Sequence, residues 1–244
     1  MKIVGFVKFY NEEQFLEGCL EQLSKICDEI VVGNDSSTDN SLEIAKKYTN
    51  HILAFPNEFE SELDHKQKML EYALNLNHDF IVWLDPDEKF KEPEKVRELC
   101  EMMISQKIDG IYCHLINFWM SDKSHRMDNA FNSLWKCHIW RNNGKLKFNT
   151  NKGLHQFQHP ATLEKFYYSD LEVLHYGFSS KELIQEKYDK YKSFGQSGWA
   201  LERLNPDSIP VLEDDTFRPF DNPVVSVVIP NYNQNLEYFK QCID

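Results

Sequence analysis

Three acidic side chains follow a short apolar run, and their types and spacing are suited to chemistry. Residues 80–84 form the pattern of a buried strand, and Asp85, Asp87 and Glu88 come directly after it. Carboxylates at the end of a buried strand lose solvation energy unless a positive group lies beside them. Oxygen ligands of this kind favour Mg²⁺ or Mn²⁺, which leave coordination positions for water and phosphate. The alternative is a strand end followed by a solvated acidic turn.

The elements that must position these carboxylates alternate between strands and helices. Strand-like apolar runs are separated by segments whose apolar residues recur at helical spacing, and this predicts right-handed βαβ units and a parallel sheet. Ligands bind at the carboxyl ends of the strands in such sheets. Polar residues stand at three of these ends: 10–12, 35–39 and 85–87. The predicted strands are 3–9, 29–32, 52–55 and 80–84, and the predicted helices cover 15–23, 42–48 and 64–76.

Composition and charge exclude several classes of partner. The chain has 244 residues with a formal net charge of −12, and 41% of them are apolar. This composition is globular, and the negative charge argues against nucleic acid as a partner and against docking on an anionic membrane. An anionic substrate must therefore be bound locally, by a metal ion or a few cationic side chains.

The cysteines and the lengths of the apolar runs bear on location. The six cysteines form no C-x-x-C pair, so we expect free thiols rather than disulfides or a zinc site. Apolar runs are too short to span a bilayer, and the N-terminus lacks the pattern of a signal peptide. These features predict a cytoplasmic protein without a transmembrane segment.

The second half of the chain has a more open pattern and defines the predicted domains. Aromatic-rich strands are predicted at 110–119 and 134–141, with further apolar stretches at 166–168 and 171–176 and a helix at 181–194. Residues 201–222 are Pro- and Asp-rich and predict a linker. Residues 223–244 repeat the N-terminal pattern and predict the truncated start of a second, similar domain. The predicted first domain is 1–200, divided at about residue 90.

Four motifs, in order, resemble a known family. They are Val7-Lys8-Phe9-Tyr10-Asn11-Glu12, the loop Asn34-Asp35-Ser36-Ser37-Thr38-Asp39, the pair Lys66-Gln67 and Asp85-Pro86-Asp87. Together they resemble family 2 of the nucleotide-sugar glycosyltransferases, which have the Rossmann-like GT-A fold. Asn34 and Ser36 depart from the family's Asp-Asp-Gly-Ser-Thr-Asp loop. The resemblance implies a nucleotide-binding half at 1–90, a mixed acceptor half at 91–200, and the first domain of a tandem transferase.

The resemblance assigns a nucleotide site and a metal site. It implies that nucleotide is bound by Tyr10, Glu12, Asp35, Asp39, Lys66 and Asp85. The alternative for Asp35 and Asp39 is that they cap the following helix, and for Lys66 that it is a solvated helix residue. Mn²⁺ or Mg²⁺ is implied as cofactor, with Asp87, His175 and Asp85 as ligands. A core histidine is the alternative for His175.

The implied reaction is inverting transfer, and the motifs leave the identity of its base open. The implied catalytic residues are Asp87 and His155, but Gln156 replaces the glutamate that often follows this histidine in the family. Asp122, Asp128 and His159 are alternative bases. The aromatic side chains of Phe118, Trp119, Trp135 and Trp140 are expected to pack in the core for the most part, with stacking on a sugar as the alternative.

Two functions follow as hypotheses. The first is a metal-dependent transferase that moves a sugar from a nucleoside diphosphate donor, expected to be a UDP-sugar, to a glycan, a lipid-linked saccharide or a protein. The second is a non-catalytic domain that binds nucleotide or sugar and supports an active second domain. A nucleotidyltransferase or a dehydrogenase is disfavoured because the first strand is not followed by a Gly-rich loop.

Overall fold

An eight-stranded mixed sheet organises the chain. The computed structural model describes residues 1–58, 62–128, 131, 134–149, 159–193, 195–207 and 212–214. The strands are β1 (Ile3–Phe9), β2 (Glu29–Asn34), β3 (His51–Ala54), β4 (Phe80–Trp83), β5 (Glu88–Phe90), β6 (Gly110–Asn117), β7 (Ser124–Arg126), β8 (Trp135–Arg141), β9 (Phe166–His175) and β10 (Leu212–Asp214). The helices are α1 (Glu13–Ile26), α2 (Ser41–Lys46), α3 (Glu62–Leu74), α4 (Lys95–Gln106), α5 (Lys181–Ser193) and α6 (Trp199–Glu202).

The sheet is parallel in its first half and mixed in its second. The strand order is β3-β2-β1-β4-β8-β6-β9-β5, and a separate two-stranded sheet joins β10 to β7. β1 pairs in parallel with β2 and β4, and β2 with β3. β8 runs antiparallel between β4 and β6, while β6 and β9 are parallel. The carboxyl ends of β1, β2 and β4 therefore lie at one edge, as the alternation of strands and helices predicted, and those of β6 and β9 lie at the same edge.

Side chains of β1 alternate between two hydrophobic layers, because successive residues of a strand point to opposite faces. Ile3, Val7 and Phe9 pack into the cluster that contains the buried residues of α1, α2 and α4. Val4 and Phe6 pack on the other face against Met69, Leu70 and Ala73 of α3. The sheet is thus covered on both faces, as expected for α/β architecture.

A third cluster attaches α5 near the carboxyl edge of the sheet. Ile184 of α5 is fully buried beside Trp119, Phe131, Phe178 and Leu204. The rings of Trp119 and Phe178 lie 5.6 Å apart, and Phe131 meets each of them edge-on. Aromatic packing of this kind fixes orientation as well as burying surface. This packing determines which face of α5 points toward the carboxyl edge of the sheet.

The structure contains elements that the sequence reading missed. Helix α4 was not predicted, although Val96, Cys100 and Met103 are its buried residues and recur at helical spacing. β5 has three residues and is formed by pairing with β9, so it carries no local signal. β9 is one continuous strand, where the sequence pattern predicts two apolar stretches at 166–168 and 171–176. β7 lies between the predicted strands 110–119 and 134–141, and β10 lies within the predicted linker.

Several predictions concern parts of the chain that the structure does not describe. Residues 223–244, the predicted start of a second domain, lie outside the described ranges, as do 151–158 with His155. Within those ranges the five cysteines are free thiols, as expected. In the described part of the chain, no helix has the length and apolar character required to cross a bilayer.

Replacing a fully buried residue of α1 tests the packing of this face. Leu20 is 0% exposed, whereas Leu74 at the end of α3 is 51% exposed. We expect Leu20→Ala to lower the free energy of unfolding by about 3 kcal/mol, because it removes buried methyl groups and leaves a cavity. Urea denaturation measures this, with Leu74→Ala as the matched control. Equal losses in the two variants would contradict the packing.

Candidate functional site

Three loops at the carboxyl edge of the sheet surround a cavity of about 560 Å³. They follow β1, β2 and β4, and His175 at the end of β9 and the inner face of α5 complete the wall. Acidic and basic side chains alternate around it. The carboxylates are Glu12, Asp35, Glu62, Asp85 and Asp87, and the lysines are Lys8, Lys66, Lys187 and Lys190. Tyr10 also lines the cavity.

The loops after β1 and β2 are held against each other by short polar contacts. Asn11 and Ser36 both adopt left-handed backbone conformations, with φ of 53° and 60°. Such values favour glycine, which explains the family's glycine at the position of Ser36. Here the Ser36 hydroxyl donates to the carbonyl of Phe55 at 2.7 Å. Asn34 retains an acceptor at the position of the family's first aspartate, since its Oδ1 accepts from the amide of Ser37 at 2.9 Å.

Asp39 stabilises helix ends, while Asp35 faces the cavity. The Asp39 carboxylate accepts hydrogen bonds from the amides of Glu13 and Ser41, each at 3.0 Å, at the first turns of α1 and α2. This matches the capping alternative. Asp35 is 6% exposed, and its Oδ2 forms an ion pair with Lys8. Its Oδ1 lies 3.3 Å from Nδ1 of His65 but receives no hydrogen bond from a described residue.

Lys66 is buried rather than solvated. Its side chain is 2% exposed, and its Nζ lies 2.7 Å from Oε1 of Glu62, one turn earlier in α3. The same ammonium lies 4.7 Å from the centre of the Trp83 ring. The solvated alternative for Lys66 is therefore wrong, and its charge stands at the wall of the cavity, where a phosphate would be attracted.

The Asp85 carboxylate is engaged by a lysine from the opposite half of the sheet. Its Oδ2 accepts from Nζ of Lys136 on β8 at 2.6 Å, and Oδ1 accepts from Nε1 of Trp83 at 3.0 Å. Burial by itself raises the pKa of Asp85, but the ammonium groups of Lys136 and Lys66 hold it well below its usual range. Lys136 also bonds Glu88 at 2.9 Å. Asp85 is thus an ionised, fixed carboxylate.

Asp87 is joined to His175 and to α5. Its Oδ2 lies 2.8 Å from Nζ of Lys187 and 3.2 Å from Nε2 of His175. The backbone fixes this meeting, because the amide of Tyr176 donates to the carbonyl of Asp87 at 2.8 Å. Burial raises the pKa of Asp87, and the charge of Lys187 together with His175 outweighs it, so the pKa falls well below its usual range.

A neighbouring amide sets the tautomer of His175. Nδ2 of Asn117 donates to the carbonyl of Phe131 at 3.2 Å, which turns Oδ1 of Asn117 toward His175. Nδ1 of His175 lies 2.8 Å from that oxygen and is therefore the donor. In a neutral imidazole the remaining Nε2 is then a lone-pair acceptor facing Asp87. This arrangement, with an amide oxygen behind a histidine, is common behind metal-bound imidazoles.

Asp87 and His175 fit a divalent cation as a two-residue site. Their facing atoms are 3.2 Å apart, and a Cβ on Gly177 would clash with both, so the glycine permits this close approach. Among the described residues, no group of three His, Cys, Asp or Glu side chains converges into a metal cage. Asp85 bonds Lys136 instead, so direct coordination of the metal by Asp85 stays a prediction. A bound Mg²⁺ would take its other ligands from water and phosphate.

Glu12 differs from the other carboxylates of the cavity in having no ion-pair partner among the described residues. Within the described ranges it forms no ion pair, and its side chain makes no capping hydrogen bond to α1. Burial, followed by the negative charge of Asp87, raises its pKa from 4.5 to about 8. Glu12 thus carries a proton over much of the neutral range in the ligand-free protein.

A second cavity of about 600 Å³ adjoins the first and has fewer charged side chains in its wall. The two share Asp85, His175, Phe178 and Tyr191. Trp135 lines the second cavity, whereas Phe118, Trp119 and Trp140 are at most 2% exposed, so packing is confirmed for these three. The first cavity lies at the ends of β1, β2 and β4, and residues of β6 and β8 form part of the wall of the second.

The alternative bases differ in position. Asp122 is exposed and lines neither cavity. Asp128 binds Arg126 through both oxygens, at 2.6 and 3.0 Å, which gives it a structural task. His159 lines the second cavity, where Nε2 lies 3.0 Å from the Tyr112 hydroxyl. His159 is the one of the three that lines the second cavity.

Sequence reasoning missed the cations and the amide that complete the site. Lys8, Lys136 and Lys187 were not singled out, and neither was Asn117. A signal was present for Lys136, since it lies within the apolar strand β8. Lys187 gave none, because its helix is rich in lysine throughout.

The raised pKa of Glu12 predicts a pH-dependent effect of removing it. Between about pH 4.5 and 8 the folded chain retains a proton that the unfolded chain has lost, so stability falls as pH rises through this interval. We expect Glu12→Gln to stabilise the protein by about 2 kcal/mol near pH 9 and negligibly near pH 4.5. Urea denaturation at both pH values measures this. Glu101→Gln, on the exposed face of α4, is the control, and a Glu12→Gln effect independent of pH would refute the burial argument.

Comparison with solved structures identifies the fold. The crystal structure of S. aureus TarS is 14% identical and superposes with a TM-score of 0.52, covering 84% of this chain and 42% of TarS. A second TarS structure, in complex with UDP, is 15% identical with a TM-score of 0.52, covering 84% of this chain and 69% of that one. This chain thus spans less than half of the first TarS chain. The likeness establishes the GT-A, Rossmann-like fold.

A weaker likeness involves glucosyl-3-phosphoglycerate synthase from Mycobacterium tuberculosis, crystallised with Mn²⁺, UDP and glucosyl-3-phosphoglycerate. It is 18% identical with a TM-score of 0.36, covering 47% of this chain and 44% of that one. No curated protein matches the chain. Residues 6–166, well over half of the chain, match the family described as Glycosyl transferase family 2. The chain therefore belongs to glycosyl transferase family 2.

Proposed function

We propose that this chain is an inverting, metal-dependent glycosyltransferase domain that takes a sugar from a UDP-sugar. The observation that carries the proposal is the pairing of Asp87 Oδ2 with His175 Nε2, 3.2 Å apart, at the wall of a cavity lined by four lysines. Two convergent acceptors favour a divalent cation, and the lysines favour phosphate. A nucleoside diphosphate joined to a sugar satisfies both.

The nucleoside end of the donor is assigned to the loops after β1 and β2. Oδ1 of Asp35 is buried and receives no hydrogen bond from a described residue, so it is an acceptor available to an N–H of a pyrimidine base. Tyr10 and Glu12 border the same space. The S. aureus TarS structures were solved with UDP and with UDP-GlcNAc, which supports UDP as the first nucleotide to test.

The diphosphate is assigned to the centre of the cavity. Asp87 and His175 would hold Mn²⁺ or Mg²⁺ there, and such an ion stabilises negative charge on a departing diphosphate. Lys66 adds a buried ammonium at the cavity wall. Asp85 stays ionised through Lys136, which keeps a fixed acceptor for a ribose hydroxyl or a metal-bound water.

The acceptor is assigned to the second cavity. Trp135 and Tyr112 present ring surface there, which suits the apolar face of a sugar. In an inverting reaction a base removes the proton of the attacking group on the side opposite the leaving diphosphate. His155 remains the proposed base. Glycans, lipid-linked saccharides and protein side chains all remain candidate acceptors.

Two further expectations stay as proposals from the sequence. A second transferase domain after the linker rests on the repeated motif at 223–244. A cytoplasmic location rests on the cysteine pattern.

Metal-dependent nucleotide binding tests the proposed function. We expect UDP to bind at least about tenfold more tightly with Mn²⁺ than without it, because the ion bridges Asp87 and the phosphates. Asp87→Ala should abolish this gain. Calorimetry measures both, and Asp189→Ala, an exposed aspartate on α5, is the matched control.

Turnover then separates the enzyme from a binding domain. Release of UDP from a UDP-sugar that is lost in Asp87→Ala is the result expected of a transferase. Absence of binding to UDP and to the other nucleoside diphosphates would overturn the proposal. It would leave the non-catalytic alternative, a domain that supports an active partner domain.

A further inference from the structure

Asp87 and His175 present two polar atoms to one small space that suits a cation. Oδ2 of Asp87 lies 3.2 Å from Nε2 of His175, and Nδ1 of His175 lies 2.8 Å from Oδ1 of Asn117, so Nε2 is the ring atom that faces Asp87. A positive group within reach of both atoms is attracted to the Asp87 carboxylate. Asp87 is buried, so bulk water screens this attraction poorly.

Lys187 supplies that cation in the ligand-free protein. Its Nζ lies 2.8 Å from Oδ2 of Asp87, and the pair is mostly buried, with exposed fractions of 28% and 10%. A Cβ placed on Gly177 would meet this ammonium, the Asp87 carboxylate and Nε2 of His175. All three groups therefore converge beside Gly177, and only a residue without a Cβ allows them to lie there.

Helix α5 is built to deliver this ammonium. Ile184, one turn before Lys187, is fully buried in the third cluster and fixes the helix face. The ammonium also lies 4.6 Å from the centre of the Phe178 ring, a cation–π contact that favours this position. Lys190 lines the same cavity but forms no ion pair with a described residue.

We propose that Lys187 is a resident cation of the site, which occupies the position of the divalent ion between Asp87 and His175 and is displaced when that ion binds. The inference rests on the proposed function, since the divalent ion is part of it. Lysine and metal then compete for one carboxylate. The lysine keeps Asp87 ionised and in place before the donor arrives, and metal binding must first separate a buried ion pair.

Displacement leaves Lys187 at the wall of the donor cavity, beside the proposed diphosphate. A nucleoside diphosphate offers the displaced ammonium a new anionic partner, whereas the metal alone offers none. Metal and nucleotide therefore favour each other's binding through this side chain, in addition to their direct contact. Free metal therefore binds more weakly than metal together with nucleotide.

Removing the ammonium should tighten the binding of Mn²⁺ alone. We expect Lys187→Met to bind Mn²⁺ about tenfold more tightly than the unaltered chain, because the ion no longer displaces a lysine from Asp87. Electron paramagnetic resonance of free Mn²⁺ measures the affinity without nucleotide. Lys192→Met removes the same charge from an exposed position on α5 and should change the affinity less than about twofold.

A second measurement uses the unaltered chain, so it does not depend on how the variant folds. Lys187 should react slowly with an amine-acylating reagent in the ligand-free protein and several times faster at saturating Mn²⁺, with Lys192 as the internal reference in the mass spectrum. Equal Mn²⁺ affinity in Lys187→Met and the unaltered chain would overturn the inference. So would labelling of Lys187 that Mn²⁺ leaves unchanged, or the absence of Mn²⁺ binding in both proteins.

The outcomes separate this inference from the proposed function. Metal-dependent UDP binding that Asp87→Ala abolishes, together with unchanged Mn²⁺ affinity in Lys187→Met, would retain the transferase and remove the resident cation. Tighter Mn²⁺ binding in Lys187→Met without any nucleotide binding would retain the resident cation and remove the donor site.

Discussion

Carboxylates gathered at the carboxyl edge of the sheet must be neutralised, and the site is arranged around this requirement. Parallel strands bring Asp35, Asp85 and Asp87 to one edge, where Asp35 and Asp87 are buried and Asp85 is partly exposed. An isolated buried carboxylate is costly, so each is paired with a lysine: Asp35 with Lys8, Asp85 with Lys136 and Asp87 with Lys187. Glu12, which lacks such a partner among the described residues, instead retains its proton through a raised pKa.

The partners come from distant elements, so charge pairing also holds the two halves together. Lys136 lies on β8 and Lys187 on α5, yet both bind carboxylates that follow β4. Strand pairing places Asn117 and His175 side by side at the ends of β6 and β9. The acidic edge and its positive partners are thus assembled from both halves of the chain. This joint construction explains why the two cavities share a wall.

The motif residues after β1, β2 and β4 line one cavity, and the signals that placed them there are local. Asp85 and Asp87 directly follow an apolar run, so the sequence itself places them at the end of a strand. Alternation of strands and helices then places such strand ends at one edge of the sheet. Capping is equally local: Asp39 bonds amides at the starts of α1 and α2. The left-handed backbone of Ser36 shows why the family prefers glycine at this place. The burial of Lys66 has no local signal in the sequence, because it depends on the packing of α3 over Trp83.

The sequence by itself determined the α/β alternation, the edge at which the polar residues gather and the identity of the two aspartates that could hold a cation. Tertiary structure decided which positive groups meet them. Lys136 is 51 residues from Asp85 and Lys187 is 100 residues from Asp87, separations at which helical and strand periodicity carry no information about contact. The tautomer of His175 was likewise decided by Asn117, whose amide is oriented by the packing of β6 against Phe131. Charge pairing over such distances is a property of the packed sheet. Folding brings the lysines beside the carboxylates, and burial then makes an unpaired charge costly.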